Sequence, residues 1–297
     1  MPRGDRPRQK RSAPPISPEA AKPAPSTSPA KPARKIPKRC NELDGKRWLQ
    51  NSISVWSDLR KSTDELRLKH PALFPTQLVE RLIASFLPGG PHRILDPFAG
   101  TGSTLVAAQR LGKSGVGFEL SPDFCETARG RLRKEVPADK VDWTLHEASA
   151  AHLRELVPAE SIDLCVTSPP YWNILTRQRT ADHKEIRHYG NRELDLGTID
   201  DYDEFLTALT QVFADVLTLL KPGAHCCIVV MDLRRKNRFY PFHSDLATRL
   251  VSAGYILDDL IVWNRQTEYN NLRPLGYPAV FRINKVHEFI VLMQKPK

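Results

Sequence analysis

The sequence predicts an α/β protein with a doubly wound, mainly parallel sheet of seven strands. Three observations support this prediction: strand-type runs alternate with amphipathic helical runs, Gly- and Pro-rich turns separate them, and no internal repeat is present. Strands that alternate with helices form parallel sheets whose helices cover both faces. Open sheets of this type bind their ligands at the carboxyl ends of the strands.

The helices and strands can be assigned in chain order. After Pro75, the run LVERLIASFL has apolar residues at 78, 79, 82, 83, 86 and 87, the stripe of an amphipathic helix that ends at Pro88. The next six elements are strand RILDPF, helix STLVAAQRLG, strand SGVGFEL, helix SPDFCETARGRLRKE, strand VDWTLHE and strand SIDLCVT. The last five are helix DYDEFLTALTQVFADVLTLL, strand AHCCIVVMD, helix FHSDLATRLVSAG, strand YILDDLIVWN and strand VHEFIVLMQ.

Residues 1–40 differ in composition from the rest of the chain. They hold 11 Lys+Arg and 2 Asp+Glu, a net charge of +9, whereas residues 41–297 hold 33 and 32, a net charge of +1. Ten of the 25 prolines also lie in residues 1–40. Because such a segment buries too little apolar surface to fold alone, we predict a disordered basic tail over 1–40 and one domain over 41–297. The tail is either a solubilising or targeting segment or an electrostatic arm for nucleic acid.

Cysteine spacing and hydropathy narrow the class of protein. The five cysteines form no CxxC pair and no metal-type spacing with histidine, which predicts reduced thiols in an intracellular protein and no metal site. No apolar run has the length of a transmembrane helix, and the N-terminus lacks an apolar stretch of the signal-peptide type. The sequence therefore predicts no membrane partner.

The first predicted strand leads into DPFAGTGST, Asp96 to Thr104. Its glycines allow a tight turn and the close approach of a ligand to a helix N-terminus. A dinucleotide-binding turn requires a third glycine where Leu105 stands, and a P-loop at Gly112-Lys113-Ser114 requires a glycine where Ala107 stands, so neither pattern fits. Glu119 ends the second strand, where an acid can accept hydrogen bonds from both hydroxyls of a ribose.

The fourth predicted strand leads into TSPPYW, Thr167 to Trp172. Prolines remove backbone donors and end the strand, so a hydroxyl, a rigid turn and two aromatic rings come together at its carboxyl end. Alone, this pattern fits an ordinary turn with core aromatics. In combination with DPFAGTG it favours a ligand seat.

Together these stretches resemble the S-adenosylmethionine-dependent DNA amino-methyltransferases that modify cytosine N4 or adenine N6. The resemblance rests on DPFAGTGST, TSPPYW, KHPALFP and GFEL, and more loosely on LKPGAHCCIVVMDLR and VHEFIVLMQK, and it covers about residues 50–295. It implies a Rossmann-like class I methyltransferase fold, S-adenosyl-L-methionine as cofactor and DNA as partner. It also implies a cytoplasmic or nucleoid-associated enzyme of the kind found in restriction–modification systems.

The same resemblance implies two sets of site residues. The cofactor-binding set is Phe74, Pro75, Thr76, Asp96, Phe98, Gly100, Gly102, Glu119 and Glu147. In this set Glu119 binds the ribose and Glu147 lies near the adenine, while His70 and Pro71 shape the loop before Phe74. The catalytic set is Ser168, Pro169, Pro170 and Tyr171.

The chemistry of an amino-methyltransferase explains the catalytic set. Hydrogen bonds from the target amine to Ser168 Oγ and the Pro169 carbonyl can orient the nitrogen, and Tyr171, or alternatively Trp172, offers a face for a flipped base. Relatives with serine in this motif mostly modify cytosine N4 and those with Asp or Asn mostly modify adenine N6, so Ser168 favours cytosine N4. No Pro-Cys dipeptide is present, which argues against methylation of carbon 5.

Several alternatives stay open. Adenine N6, an RNA amine and a catalytically silent nucleic-acid-binding subunit are the other functional interpretations. Residues 173–200 and 265–285 are either compact target-recognition loops or solvated loops, and their shortness is compatible with a homodimer or a separate specificity partner. Asp232, after the fifth strand, fits a helix cap as well as a functional role.

Overall fold

The computed structural model describes residues 39–68, 73–135, 142–174, 195–235, 237–268, 272 and 274–297. The chain separates into Met1–Lys38 and Arg39–Lys297, and all described residues belong to the second unit. The tail predicted over residues 1–40 lies outside the described residues except at its last two positions, so its disorder stays a prediction.

The described residues form eight α-helices and ten β-strands. The helices are α1 (Gly45–Asn51), α2 (Thr63–Arg67), α3 (Thr76–Phe86), α4 (Ser103–Arg110), α5 (Pro122–Glu135), α6 (Leu153–Leu156), α7 (Tyr202–Leu219) and α8 (Phe242–Ser252). The strands are β1 (Val55–Trp56), β2 (Arg93–Asp96), β3 (Ser114–Glu119), β4 (Trp143–Glu147), β5 (Ile162–Thr167), β6 (Leu220–Val230), β7 (Leu233–Arg235), β8 (Arg238–Tyr240), β9 (Ile256–Asn264) and β10 (His287–Gln294). Every helix and strand predicted from the sequence is present, within a few residues of its predicted bounds.

One sheet contains eight of these strands, in the order β1-β9-β10-β6-β5-β2-β3-β4. In the described part of the chain, β10 is antiparallel to its neighbours β6 and β9, and the other pairings of this sheet are parallel. The predicted α/β class and mainly parallel sheet are confirmed, and the seven predicted strands all belong to this sheet. The eighth strand, β1, is absent from the prediction because two residues contain no period to detect.

A second, two-stranded sheet consists of β7 and β8, which form an antiparallel hairpin between β6 and α8. The sequence prediction missed this hairpin, since each strand has only three residues. It connects directly to the carboxyl end of β6 and therefore lies at the same edge of the molecule as the two motif loops.

Helices pack on both faces of the large sheet. Leu95 of β2 belongs to a buried cluster with Phe205 and Phe213 of α7. Its neighbour Ile94 belongs to a different buried cluster with Leu82 of α3. Adjacent residues of a strand point to opposite faces, so this division is the expected result of a sheet covered on two sides. Each fully buried Leu- or Phe-sized side chain contributes roughly 1.5–3 kcal/mol to stability.

The strand order determines which loops meet at the carboxyl edge. β2 lies between β3 and β5, so the loops that follow these three strands are neighbours. The DPFAGTG loop follows β2, Glu119 ends β3, and TSPPYW follows β5. The strand order reverses at β2, and open α/β sheets bind their ligands at such a point.

Candidate active site

The turn after β2 depends on two glycines in the left-handed backbone region. Gly100 has φ of 53° and Gly102 has φ of 81°. A Cβ added to Gly102 would lie 2.9 Å from the Cβ of Ala128 in α5. The amide of Ala99 donates to the carbonyl of Phe118 on the next strand at 2.8 Å, which holds the turn against β3. The turn is therefore fixed by its backbone and closely covered by α5.

Glu119 is buried behind this turn and held by backbone amides. Gly100 N donates to Oε2 and Ser121 N donates to Oε1, each at 2.8 Å. Burial raises the pKa of the Glu119 carboxyl to about 7, although the backbone hydrogen bonds act in the opposite direction. Each carboxylate oxygen has two lone pairs, so one on each oxygen is left to accept from a ligand. A diol such as a ribose has the two donors that this arrangement suits.

Asp96 is fully buried at the start of the same turn. Its Oδ1 accepts from Thr167 Oγ1 at 2.6 Å and from Phe98 N at 3.0 Å. Its Oδ2 has no hydrogen-bond partner among the described residues. Burial raises the pKa of this carboxyl to about 6. A buried acceptor without a partner costs about 1–3 kcal/mol, which is offset when a ligand supplies a cationic or N–H donor.

The segment before α3 is connected to this turn by a buried ion pair. Thr76 N donates to Glu65 Oε1 at 2.7 Å, and Arg131 of α5 lies 3.5 Å from the same carboxylate oxygen. Arg131 Nη1 also donates to the Thr101 carbonyl at 2.8 Å and to Ser103 Oγ at 3.2 Å. The two side chains thus hold the Thr76 segment against the DPFAGTG turn.

Glu65 and Arg131 were not predicted as site residues. A signal for Glu65 is nevertheless present, because Ser62 and Glu65 form a capping box at the start of α2. Arg131 gives no such signal in the sequence, since its partners lie 28 to 66 residues away. Of the predicted residues in this segment, Phe74 packs in the core cluster of α3.

The TSPPYW loop contains a chain of hydrogen bonds that ends on the last strand. Ser168 Oγ lies 3.0 Å from Tyr171 Oη, which in turn lies 2.9 Å from Glu288 Oε2 of β10. The carbonyl of Val229 lies 3.3 Å from the same hydroxyl and is an alternative acceptor for its proton. Arg265 forms an ion pair with the other oxygen of Glu288. Burial raises the pKa of the Tyr171 hydroxyl well above its usual value, so this group stays protonated.

Glu288 and Arg265 are the second pair of residues that sequence reasoning missed. Glu288 is a buried acid in an otherwise apolar strand, a pattern that is visible in VHEFIVLMQ and typical of a paired or functional carboxylate. Arg265 is also paired with Glu268 at 2.8 Å. Neither residue could be assigned to Tyr171 from the sequence, because 117 residues separate Tyr171 from Glu288.

The two aromatic residues of TSPPYW have different environments. Trp172 is 3% exposed and packs against the rings of Tyr202 and Tyr240, with centroid distances of 5.3 and 5.1 Å. Tyr171 is partly buried, and its ring lies edge-on to Phe242 at 6.3 Å. Trp172 is therefore enclosed, whereas Tyr171 keeps part of its surface exposed.

The other residues singled out from the sequence lie at the periphery or outside the described residues. Glu147 ends β4 beside Glu119 and forms an ion pair with Arg129 at 3.3 Å. Asp232 accepts from the backbone amide and the ring of His243 in the first turn of α8, at 3.2 and 2.7 Å, as a helix cap does. His70, Pro71 and most of the first proposed recognition loop, residues 175–194, lie outside the described residues, as do residues 269–271 and 273 of the second.

The described residues lack two further kinds of feature. No helix among them is long and apolar enough to cross a membrane. No group of three or more His, Cys, Asp or Glu side chains within the same residues is arranged to hold a metal ion.

The chain is similar to several proteins of known sequence. A sequence profile described as DNA methylase (N6_N4_Mtase) matches residues 17–130 and 162–297. The type II methyltransferase M.ScaI of Streptomyces caespitosus is 39% identical over 103 residues, which cover 33% of this chain and 32% of that protein. M.MjaVI of Methanocaldococcus jannaschii is 30% identical over 147 residues, 47% of this chain and 65% of that protein.

A solved structure gives a further, partial likeness. A provisionally assigned DNA modification methylase from Thermus thermophilus, complexed with S-adenosyl-L-methionine, is 30% identical to this chain. The match covers 50% of this chain and 51% of that chain, with a TM-score of 0.34. This chain thus spans about half of that structure and about a third of M.ScaI.

Proposed function

Because the chain belongs to the N6/N4 DNA methylase family, we propose that it transfers a methyl group from S-adenosyl-L-methionine to an exocyclic amine of DNA, namely N4 of cytosine. One observation carries the proposal. The hydrogen bond of 2.6 Å from Thr167 to Asp96 joins the TSPPYW loop to the DPFAGTG turn, so the predicted seat of the amine adjoins the predicted cofactor site. A transfer between two bound molecules requires this kind of adjacency.

The residues around the turn fit the cofactor. When bound, S-adenosyl-L-methionine supplies an electrophilic methyl group on a positively charged sulfur. Glu119 has one acceptor left on each carboxylate oxygen for the two ribose hydroxyls, and the unpartnered Oδ2 of Asp96 suits the cofactor's ammonium group. Two buried carboxyls with raised pKa values also favour a ligand of positive charge, because its charge stabilises their ionised forms.

The chain of hydrogen bonds at TSPPYW determines whether the Ser168 hydroxyl donates a hydrogen bond to Tyr171 or accepts one from it. The Val229 carbonyl accepts only, and so does the Glu288 carboxylate that is paired with Arg265. Tyr171 must therefore donate its single proton to one of them, which makes it the acceptor for the Ser168 hydroxyl. The lone pairs of Ser168 Oγ are then left to accept an N–H of the target amine.

The donation of the Ser168 proton to Tyr171 has two consequences for methyl transfer. An amine that donates to Ser168 Oγ and to the Pro169 carbonyl is held by its hydrogens, which leaves its lone pair to point at the methyl donor. The methylated amine carries an extra proton that has to leave. The hydrogen bonds of 3.0 and 2.9 Å from Ser168 through Tyr171 to Glu288 offer that proton a route away from the base.

Cytosine N4 is proposed over adenine N6 because of Ser168. The hydroxyl of serine accepts from the amine with a single oxygen, as in the relatives with serine in the motif. Nothing else in the described site separates the two bases, since both present an exocyclic amine and a flat ring. Adenine N6 is therefore the second candidate, and both candidates use the same seat.

The experiment is product identification. The full chain is incubated with mixed-sequence duplex DNA and cofactor labelled in the methyl group, and the DNA is digested to nucleosides. We expect the label in N4-methyldeoxycytidine, and a matched Asp96→Asn variant should give none. Label in N6-methyldeoxyadenosine would assign the second candidate. Label only in 5-methyldeoxycytidine, or only in a parallel RNA sample, would contradict the proposed reaction.

A further inference from the structure

The β7–β8 hairpin is a local concentration of positive charge. Residues 233–240, LRRKNRFY, contain four Lys+Arg and no Asp or Glu, whereas residues 41–297 as a whole carry a net charge of only +1. The hairpin pairs Arg234 with Phe239 and Arg235 with Arg238 across its two strands. Cations and aromatic rings therefore alternate on a small, two-stranded surface.

This hairpin packs directly against the TSPPYW loop. The guanidinium of Arg235 lies 4.5 Å from the centre of the Trp172 ring, and the Tyr240 ring lies 5.1 Å from the same ring. Phe242, two residues after the hairpin, contacts the Tyr171 ring. The basic surface is thus next to the proposed seat of the target base, although no step of the proposed reaction uses it.

The positive charges that the structure describes on this surface form no ion pairs with described carboxylates. Within the described residues, no carboxylate lies within 4 Å of the cationic groups of Arg234, Arg235, Arg238, Arg282 or Lys285. Arg234 and Lys285 both lie over the Phe239 ring, at 5.6 and 4.6 Å. Burial, together with the charge of Arg234, lowers the pKa of the Lys285 ammonium, although the charge of Asp232 acts in the opposite direction. Like charges that converge in this way repel each other unless a bound anion neutralises them.

The loop between β9 and β10, which contains Arg282 and Lys285, extends the same surface. Arg282 donates to Asn237 Oδ1 in the hairpin turn at 2.9 Å, so the loop before β10 touches the hairpin. Phe281 beside it is 90% exposed, and Phe239 is 41% exposed. A surface depression of about 400 Å³ lies over the hairpin, lined by Arg235, Asn237, Arg238 and Tyr240. Its lining has guanidinium donors, which match phosphate oxygens in geometry and charge.

We propose that the β7–β8 hairpin, with Arg282 and Lys285, binds the phosphate backbone of DNA beside the flipped base. The inference rests on the proposed function for the identity of the polyanion, since DNA is the substrate proposed for the adjacent site. Unpaired cations interleaved with exposed aromatic rings suit a nucleic acid better than an acidic peptide, which offers carboxylates but no bases to contact the rings. Phosphate contacts position the duplex and do not read its sequence.

The proposal predicts a change in the salt dependence of binding. Each phosphate contact contributes about 0.9 to the slope of log affinity against log salt. An Arg234→Gln, Arg238→Gln double variant should therefore lower this slope by about 1–2 and weaken binding roughly 10- to 60-fold at about 0.1 M salt. These two side chains are exposed, so glutamine should leave the hairpin folded. An Arg282→Gln, Lys285→Gln variant should act in the same direction.

The matched control is Arg133→Gln, Lys134→Gln, which removes the same charge from the carboxyl end of α5. A helix that joins parallel strands runs opposite to them, so these residues lie at the far end of the sheet from the hairpin. The assay is fluorescence anisotropy of full-length proteins with a labelled duplex of about 30 base pairs, from about 50 to 200 mM salt. Cofactor affinity and melting temperature are measured for each variant.

We expect both hairpin-side variants to have a lower affinity for DNA and a smaller salt-dependence slope. The α5 control should keep the wild-type DNA affinity and slope, and all variants should keep the wild-type cofactor affinity and melting temperature. Wild-type slopes in both hairpin-side variants, or an equal loss in the α5 control, would overturn the proposal. The product assay separates this result from failure of the proposed function. If the wild-type protein gives methylated product but the hairpin-side variants keep the wild-type salt dependence, DNA binding by the hairpin is rejected and the reaction stands. If the variants have a smaller slope but no methylated product is found, the reaction is rejected and the hairpin stays a DNA-binding element.

Discussion

The candidate site lies at the carboxyl ends of the parallel strands, and the two halves of this edge of the sheet are stabilised by different kinds of contact. In the half formed by β2 and β3, backbone amides of Gly100 and Ser121 hold Glu119, and all three residues lie within one β-α-β segment. In the half formed by β5, β6 and β10, side chains from distant parts of the chain hold one another, as Tyr171 and Glu288 do. The surroundings of Glu119 are therefore built locally, although the Glu65–Arg131 pair that holds Thr76 against the same turn joins distant residues. The second half exists only when the whole sheet has formed.

This difference suggests a division of labour that mutation can test. Backbone amides keep their positions when a neighbouring side chain changes, so the site at Glu119 should tolerate substitutions around it and lose function mainly when the acid itself is removed. In the second half, hydrogen bonds and an ion pair connect the side chains from Ser168 to Arg265 in series. A change at any of these residues should therefore alter the orientation of the others. Cofactor affinity should report on the first half and turnover on the second.

The largest expected effect is on the first half. Glu119→Ala removes both acceptors for the ribose and should weaken cofactor binding by about 1–3 kcal/mol, roughly 5- to 150-fold in Kd. Isothermal titration calorimetry measures it, with Glu135→Ala at the carboxyl end of α5, outside both sets of site residues, as the control. If Glu135→Ala weakens binding as much as Glu119→Ala does, the ribose is not assigned to Glu119. Unchanged affinity in Glu119→Ala would remove the assignment altogether.

The next effect concerns the hydrogen-bond chain of the second half. Tyr171→Phe keeps the ring but removes the hydroxyl that orients Ser168, so kcat should fall about tenfold while the affinity for DNA stays near wild type. Glu288→Gln should give a similar loss of kcat, since an amide can donate back to Tyr171 and release the Ser168 proton from its fixed direction.

Tyr171→Ala provides the comparison for those two variants. It removes the ring as well as the hydroxyl, so it should also lose the stacking contribution of about 1–3 kcal/mol in DNA binding. Steady-state kinetics and anisotropy binding separate the two losses. Equal DNA affinities for Tyr171→Phe and Tyr171→Ala would contradict a stacking role, and wild-type kcat in Tyr171→Phe would contradict the orienting role.

The smallest effect is the dependence of cofactor affinity on pH. The free carboxyls of Glu119 and Asp96 have pKa values of about 7 and about 6, and a cationic ligand favours their ionised forms. Binding is therefore strongest above both pKa values, and affinity should fall about twofold from pH 8 to pH 7 and more steeply below. Calorimetry at several pH values tests this, and Glu119→Gln should shift the fall to lower pH. An affinity that rises as pH falls would contradict the assignment of both acids.

The same contrast explains how much of the molecule the sequence predicts. The DPFAGTG turn and Glu119 can be identified because their glycines, strand and acid stand close together in the chain. Glu288 and Arg131 stand far from the groups they contact, so no local pattern connects them to Tyr171 or Thr101. The contacts of these residues depend on strand order, which the alternation of helices and strands does not specify.

Short strands and enclosed aromatic residues are two further kinds of feature that cannot be predicted from the sequence. β1 and the β7–β8 hairpin have strands of two or three residues, which is too few for an alternating pattern. Trp172 belongs to the motif by sequence, yet its ring is enclosed by Tyr202 and Tyr240 from later elements. Neither burial nor pairing of this kind can be inferred from the residues next to it.

The most direct test of the division between the two halves is Ser168→Ala, measured twice on one preparation. Single-turnover methyl transfer reports on the second half, and calorimetric affinity for the cofactor reports on the first. Removal of the acceptor for the target amine should lower the transfer rate by about tenfold or more, while cofactor Kd stays within about twofold of wild type. A parallel loss of cofactor affinity, or a transfer rate equal to wild type, would contradict the proposed separation of cofactor binding from amine activation.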